Sequence, residues 1–411
     1  MSKRLSFHRL FPEGLLAAYY DYQKAKQLCP EGRALRARDR KATFIEDIGN
    51  ETAIAVVMDW LCRAQDHSAT RDGGVARDFS LIDGWASSYP ETTGYIIPTL
   101  LTEAEQGYRS DLSARAQRMV DWLISIQLDD GAFQGGTITQ TPVIPVTFNT
   151  GQILIGLAAA ADVSSREDYS AAMHKAASWL RDTQDEDGAW RAYATPYAKP
   201  GDKVYETHVS WGLFEAERVA PGHGYGEAGL RQVRWALRHQ KDNGWFDHCC
   251  LTKPNKPLTH TLGYVLRGIL EAYRLSNDEA ILKAGIKTAD ALKDQLGEDG
   301  RLAGRFYSNW RPAVSWVCMT GSAQISTCWM MLYEWTGDAA YFEAAQRTNS
   351  FLRRTLILDG SDGVRGGIRG SFPISGDYGR WEFLNWAAKF TIDAFRREQD
   401  LVQKKPPHSR E

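Results

Sequence analysis

No run of apolar residues in the 411-residue chain approaches the roughly 18 that a membrane span requires. The opening MSKRLSFHRLFPEGLLAAYY has basic residues but neither an uninterrupted apolar core nor a small-residue cleavage pattern, so it reads as mature protein rather than a secretion signal. Six cysteines (Cys29, Cys62, Cys249, Cys250, Cys318 and Cys328) are too sparse for a disulfide framework, which points to the cytoplasm. A formal charge of -2 and a pI near 6.5 leave no basic excess, so neither a nucleic-acid partner nor an anionic-membrane surface is expected. Metal spacing is missing too. Asp247-His248-Cys249-Cys250, with His260 further on, has zinc-ligand residue types but no CxxC pair, and adjacent cysteines do not readily share one ion, so no metal and no cofactor is expected.

Aromatic residues are plentiful by contrast. Fourteen tryptophans and seventeen tyrosines suit either large cores or the flat faces of sugars.

From residue 50 a unit recurs. Its first half is a helix ending in Trp-Leu-x-x-x-Gln, seen at Trp60 to Gln65, Trp122 to Gln127 and Trp179 to Gln184, and with alanine in second place at Trp235 to Gln240. Degenerate copies begin at Ala291 and Phe351, so successive starts differ by 62, 57, 56, 56 and 60 residues. Each is followed by a glycine turn: Asp72-Gly73, Asp130-Gly131, Asp187-Gly188, Asn243-Gly244, Asp299-Gly300 and Asp362-Gly363. The second half is a helix apolar around most of its circumference, as expected for an element buried on several sides. An amphipathic outer helix alternating with an apolar inner one, six times over, predicts an all-α, (α/α)6 toroid of six hairpins at residues 46–400. Residues 1–45 read as a lead-in helix and linker, and 401–411 as a disordered tail.

In such a ring the heads of the inner helices face one end of the bore, where their unpaired N–H groups favour acceptors. The polar residues there are Glu91 and Tyr95, Asn149 and Gln152, Glu206 and His208, His260 and Tyr264, Gln324, and Asn385 with Lys389. Glu91 stands three residues after Ser88, close to a capping-box spacing, so it reads as either a catalytic carboxylate or a helix cap. Around Glu206 the ionisable groups Tyr205 and His208 crowd more than a cap needs. The loops add Arg71, Arg77, Asp83, Trp85 and Tyr89, then Trp310 and Arg311, then Arg369 and Trp381. Arginine forks suit carboxylates, which makes an anionic sugar the natural ligand.

QDEDGAW (184–190) and, more loosely, QLDDGAF (127–133) resemble the repeat of the terpenoid cyclases, and KPLTHTLGYVLRGI (256–269) is similar to a segment of protein prenyltransferase β-subunits. The acidic DxDD motif of the cyclases is absent, and the prenyltransferase zinc ligands are not matched at their spacing. SWVCMTGSAQIS (315–326) resembles a segment in the helical C-terminal domain of glucuronyl C5-epimerases. From about residue 50 to 400 the chain resembles helical-toroid proteins of bacterial exopolysaccharide biosynthesis. These resemblances imply a six-hairpin, glycosidase-like enzyme acting on an acidic poly- or oligosaccharide. Acting as a hydrolase, it would pair Glu91 and Glu206, with a separation of roughly 6.5–9.5 Å indicating inversion. In a lyase or C5-epimerase, His208, His260 and Tyr264 would exchange the C5 proton while an arginine or amide neutralises the sugar carboxylate. Isoprenoid chemistry in an aromatic cavity and non-catalytic polysaccharide binding are the other classes, and the oligomeric state stays open.

Overall fold

The most apolar helices of the chain lie innermost. A computed structural model describes residues 22–107, 109–198 and 201–404. Residues 1–21 and 405–411, which hold most of the expected lead-in helix and tail, lie outside the described residues. A first helix, α1 (Pro30–Arg40), precedes the ring. The outer helices are α2 (Gly49–Asp66), α4 (Leu112–Ile126), α6 (Glu167–Asp182), α8 (Tyr225–Leu237), α10 (Glu279–Lys293) and α12 (Ala339–Arg354). The inner ones are α3 (Pro90–Glu105), α5 (Thr147–Val163), α7 (Thr207–Val219), α9 (Thr259–Ser276), α11 (Met319–Thr336) and α13 (Asn385–Gln403). Together they make the (α/α)6 toroid expected from the repeat.

The tightest hairpins run from each inner helix to the next outer one across a short connection, as α3 to α4 or α5 to α6. The glycine-turn loops instead carry the chain from each outer helix over the opposite face to the next inner helix. Closure joins the two ends of the sequence, because α13 packs on both α2 and α3. Inner helices approach closely through small residues. A Cβ on Gly94 would collide with Ile153 Cα of the neighbouring helix, and one on Gly151 would stand 2.6 Å from a Val209 methyl.

The recurring glutamine and glycine have one structural role. Gln127 Nε2 donates to the Gly131 carbonyl and to the Ala172 carbonyl of the next outer helix, both at 3.0 Å. Gln184 repeats this on Gly188 and Ala228, each at 2.9 Å. The glycine itself abuts that same outer helix, since a Cβ on Gly131 would lie 2.5 Å from the Lys175 carbonyl. In the sixth unit the residue in this role is Gly366, not the expected Gly363. Gly366 has φ +80° and presses on the Val56 carbonyl of α2, so the last turn locks onto the first outer helix.

Short strands decorate the loop face. β1 (Asp78–Ser80) pairs antiparallel with β2 (Gly84–Trp85) and with β5 (Glu382–Leu384), in the register Phe79 opposite Trp85 and Phe383. β3 (Val317–Cys318) pairs with β4 (Ser371–Phe372). The first sheet ties the first loop to the last, which closes the ring at this face as well.

Candidate active site

At the heads of the inner helices the loop face opens into a cavity of about 440 Å³. Its walls include Tyr89, Glu91 and Tyr95 from the first unit, Phe148 and Asn149 from the second, Tyr205 from the third and His260 and Tyr264 from the fourth. Arg77 from the first loop, with Tyr378 and Trp386 from the sixth unit, completes that side.

Two layers stack along the bore. Tyr95, Gln152, His208, Tyr264, Gln324 and Lys389 occupy equivalent positions, one per inner helix. One helical turn nearer the loop face stand Glu91, Phe148 and His260, spaced four residues before their counterparts. Tyr264 lies between two imidazoles, its ring centroid 4.2 Å from that of His260 and 4.4 Å from that of His208.

Glu91 sits in the first turn of α3, buried, and accepts a hydrogen bond at Oε2 from the Tyr89 hydroxyl at 2.8 Å. The N-cap of that helix is Tyr89, with no side-chain capping bond, and the Ser88 hydroxyl is spent on Ser68 and Asp72 at 2.7 and 2.6 Å. The capping-box arrangement therefore does not form. Burial pushes the Glu91 carboxyl up to about 7, a rise that the Tyr89 hydrogen bond and the Arg77 charge only partly offset.

His260 donates through Nδ1 to Gln324 Oε1 at 2.8 Å, and His208 does the same to Gln152 Oε1 at 2.6 Å. With the amide oxygen as acceptor, both rings carry the proton on Nδ1 and a lone pair on Nε2. Burial holds His260 down at about 4 and, with the charges of Arg267 and Lys389, holds His208 well below its ordinary value. Both imidazoles are neutral at pH 7.

Arg77 brings a cation to the wall. Its Nη1 meets Asp78 at 2.5 Å and Glu382 at 3.7 Å, its guanidinium lies 5.4 Å from the Trp386 ring, and Nη1 alone is engaged by protein acceptors among the described residues. Burial, reinforced by the neighbouring Asp78 charge, pushes the Glu382 carboxyl up to about 7.

Several residues anticipated for the site lie elsewhere. Glu206, in a one-turn 3-10 helix (Val204–Glu206), is buried off the cavity wall beside Lys203, and burial raises its carboxyl well above the ordinary value. His208, Gln152 and Gln324 do not line the cavity: His208 packs on Tyr264 and bonds Gln152, and Gln324 bonds His260. Lys389 binds Asp393 at 2.5 Å and faces a separate pocket of about 240 Å³ at the far mouth, with Arg267 and Arg396. Asn385 is a clamp, donating to the Ala76 carbonyl at 2.9 Å and to Thr92 Oγ1 at 2.7 Å. Arg369 ties the Thr355 carbonyl to Asp39 of α1. Trp310 donates to the Asn243 carbonyl at 2.8 Å, Trp85 packs on Trp60, and Trp381 is buried at the foot of β5. Arg71, Asp83 and Arg311 belong to turns outside the cavity. Asp247 pairs with Lys241 at 2.5 Å, and His248 packs edge-on against His239.

Tyr378, Trp386 and Phe148 line the cavity without having been anticipated, and Tyr205, noted only as a neighbour of Glu206, lines it too. Phe148 was legible, because it holds in the second unit the place that Glu91 holds in the first. Tyr378 had no periodic signal and arrives through a loop.

The sequence profile of the squalene-hopene cyclase C-terminal domain matches residues 91–275. No curated protein matches the chain significantly. Among solved structures, an unsaturated glucuronyl hydrolase specific for heparin superposes with a TM-score of 0.68 at 16% identity, over 86% of this chain and 97% of its own. D-mannose isomerase gives 0.68 at 11% identity over 86% and 97%. Cellobiose 2-epimerase from Bacillus thermoamylovorans gives 0.63 at 11% identity over 88% and 98%. At such identities the likeness establishes the toroid fold.

Proposed function

We propose that this toroid is a carbohydrate-active enzyme that moves protons on an acidic oligo- or polysaccharide, with Glu91 as acid and His260 as base. The observation that carries the reading is that one aromatic-walled cavity holds both a buried carboxyl, pushed up to about 7, and an imidazole whose Nδ1 is engaged by Gln324 and whose value burial holds at about 4. Proton transfer needs such a pair, one group able to give and the other able to take at the same pH. The free edge of Arg77 suits a uronate carboxylate and would stabilise the negative charge that develops when the adjacent C5 proton leaves. His260 Nε2 takes that proton, and Glu91 returns one to the opposite face in epimerisation or to the departing oxygen in elimination. Tyrosine and tryptophan walls supply apolar faces for the sugar ring.

A second reading is hydrolysis, in which Glu91 protonates the leaving oxygen. It is favoured by the raised Glu91 carboxyl, and weakened by the position of Glu206, which leaves Glu91 without a second carboxyl on the cavity wall among the described residues. The enzymes that share the fold are named for a glucuronyl hydrolase, an epimerase and an isomerase of sugars, which supports both readings. Six free cysteines are in keeping with a reducing compartment such as the cytoplasm. The resemblance of residues 50–400 to toroids of exopolysaccharide biosynthesis supports a place in that process.

The test is to incubate the protein with acidic exopolysaccharides while following reducing ends, absorbance of unsaturated uronate and deuterium uptake at C5. Deuterium uptake or a rise in absorbance supports carbon-acid chemistry, and reducing ends alone support hydrolysis. Silence in all three, with Glu91→Gln indistinguishable from wild type, would overturn the enzyme reading.

A further inference from the structure

Two loops from successive repeats meet over the mouth of the cavity. The Tyr197 hydroxyl donates to Gln140 Oε1 across 57 residues of sequence. Beneath them lies Gly136, with φ +78°, where a Cβ would collide with Gln140 Oε1 and stand 2.8 Å from Tyr197 Oη. The left-handed backbone there favours glycine, and a side chain at this point would displace the tips of Gln140 and Tyr197. Each loop is held from below: the Ile138 N–H donates to the Ser88 carbonyl at 2.9 Å, and the Thr147 N–H donates to the Tyr193 carbonyl at 2.9 Å. Arg191 staples the base of the second loop to Asp185 and Asp202 at 2.7 and 2.8 Å.

The rim so formed lines the cavity with Thr137, Gln140, Thr195 and Tyr197, yet the Tyr197 residue is 54% exposed. An aromatic ring left in water is ordinarily a small cost, but here it stands at the entrance of an aromatic cavity, ringed by hydroxyls and an amide. Gln140 uses its carbonyl on Tyr197, and among the described residues its two amide N–H donors stay available to another acceptor. A flat apolar face bordered by donors and acceptors matches a pyranose ring with equatorial hydroxyls. None of these groups is an acid or base of the proposed reaction, so they suit holding rather than reacting.

We infer that Tyr197, with Gln140 and Thr195, forms a second sugar subsite at the rim, holding the residue next to the one on which Glu91 and His260 act. The substrate is then an oligosaccharide or a glycan end rather than a free monosaccharide. This rests on the carbohydrate reading above.

The experiment measures calorimetric binding of D-glucuronic acid and of glucuronate-containing di- and tetrasaccharides, in a Glu91→Gln background that prevents turnover. Tyr197→Ala weakens the di- and tetrasaccharides about tenfold and leaves the monosaccharide unchanged. Tyr197→Phe, which keeps the ring and loses the contact to Gln140, stays within about twofold for all three and shows that stacking rather than loop order is responsible. Equal weakening of all three ligands by Tyr197→Ala, or none, overturns the subsite while leaving the carbohydrate reading in place. Failure of the parent protein to bind any of the three overturns both.

Discussion

His260 donates its Nδ1–H to the side-chain oxygen of Gln324 at 2.8 Å. Gln324→Glu exchanges a neutral acceptor for an anion at the same place, which favours the imidazolium. His260, held at about 4 by burial, should then titrate at least about one pH unit higher. The low-pH limb of activity, which reports loss of the neutral base, moves up by the same amount. An NMR titration of the imidazole reads the shift without any substrate. An unchanged titration would mean that Gln324 does not set the state of this ring.

Glu91→Gln should cost about 100- to 10,000-fold in rate if the carboxyl is the acid. The same change should stabilise the protein in alkali. The folded-state value of Glu91, about 7, lies above its unfolded value of 4.5, so the folded form binds the proton more tightly. Stability from this group is complete below pH 4.5 and is lost as pH rises through 7, by an upper bound of about 3 kcal/mol. Thermal melts at pH 4 and pH 8 check the sign: the variant gains on wild type chiefly at the higher pH. Glu206→Gln is predicted to share the stability gain, for the same reason of burial, and to keep activity because Glu206 lies off the cavity wall. Loss of activity there would restore the two-carboxylate hydrolase.

These two glutamates also show what the sequence could and could not reveal. Helix alternation and turn glycines are written at fixed spacing because every unit buries the same faces, so the toroid and the ring of inner-helix heads were readable. Glu91, His260 and Tyr264, which that frame groups together, line one cavity. The frame was weaker for Glu206, which precedes α7 in a 3-10 turn and lies off the cavity wall, near the Lys203 charge. Loop residues carry no period at all. Arg369, Trp381 and Asn385 looked like site residues by type, yet they satisfy buried carbonyls, fill the core or clamp the first loop, while Tyr378 from the same region reaches the cavity. Only long-range pairing such as β1 with β5 decides which of these faces inward.

Arg77→Ala should raise KM for a uronate-bearing substrate roughly 10- to 100-fold, the usual worth of a charge-assisted pair, and change a neutral analogue little. Arg77→Lys keeps the charge but loses the planar fork, so it should recover only part of the affinity. Steady-state kinetics on the acidic sugar and its carboxyl-reduced counterpart give the comparison. Equal effects on both would show that Arg77 does not read a carboxylate.

Closure of the ring makes a separate prediction, independent of any substrate. Gly366 and Gly337 share left-handed backbone, at φ +80° and +72°, but their surroundings differ. A Cβ at Gly337, just past the end of α11, meets nothing within 4 Å, so Gly337→Ala should cost only the conformational penalty of about 1–2 kcal/mol. At Gly366 the same atom would collide with the Val56 carbonyl of α2, so Gly366→Ala must also push the sixth turn off the first outer helix. The total should reach about 3 kcal/mol or more, since overpacking typically adds 1–3 kcal/mol. Parallel chemical denaturation of the two variants measures the difference. If they lose the same stability, the contact between the last turn and the first helix does not hold the ring shut.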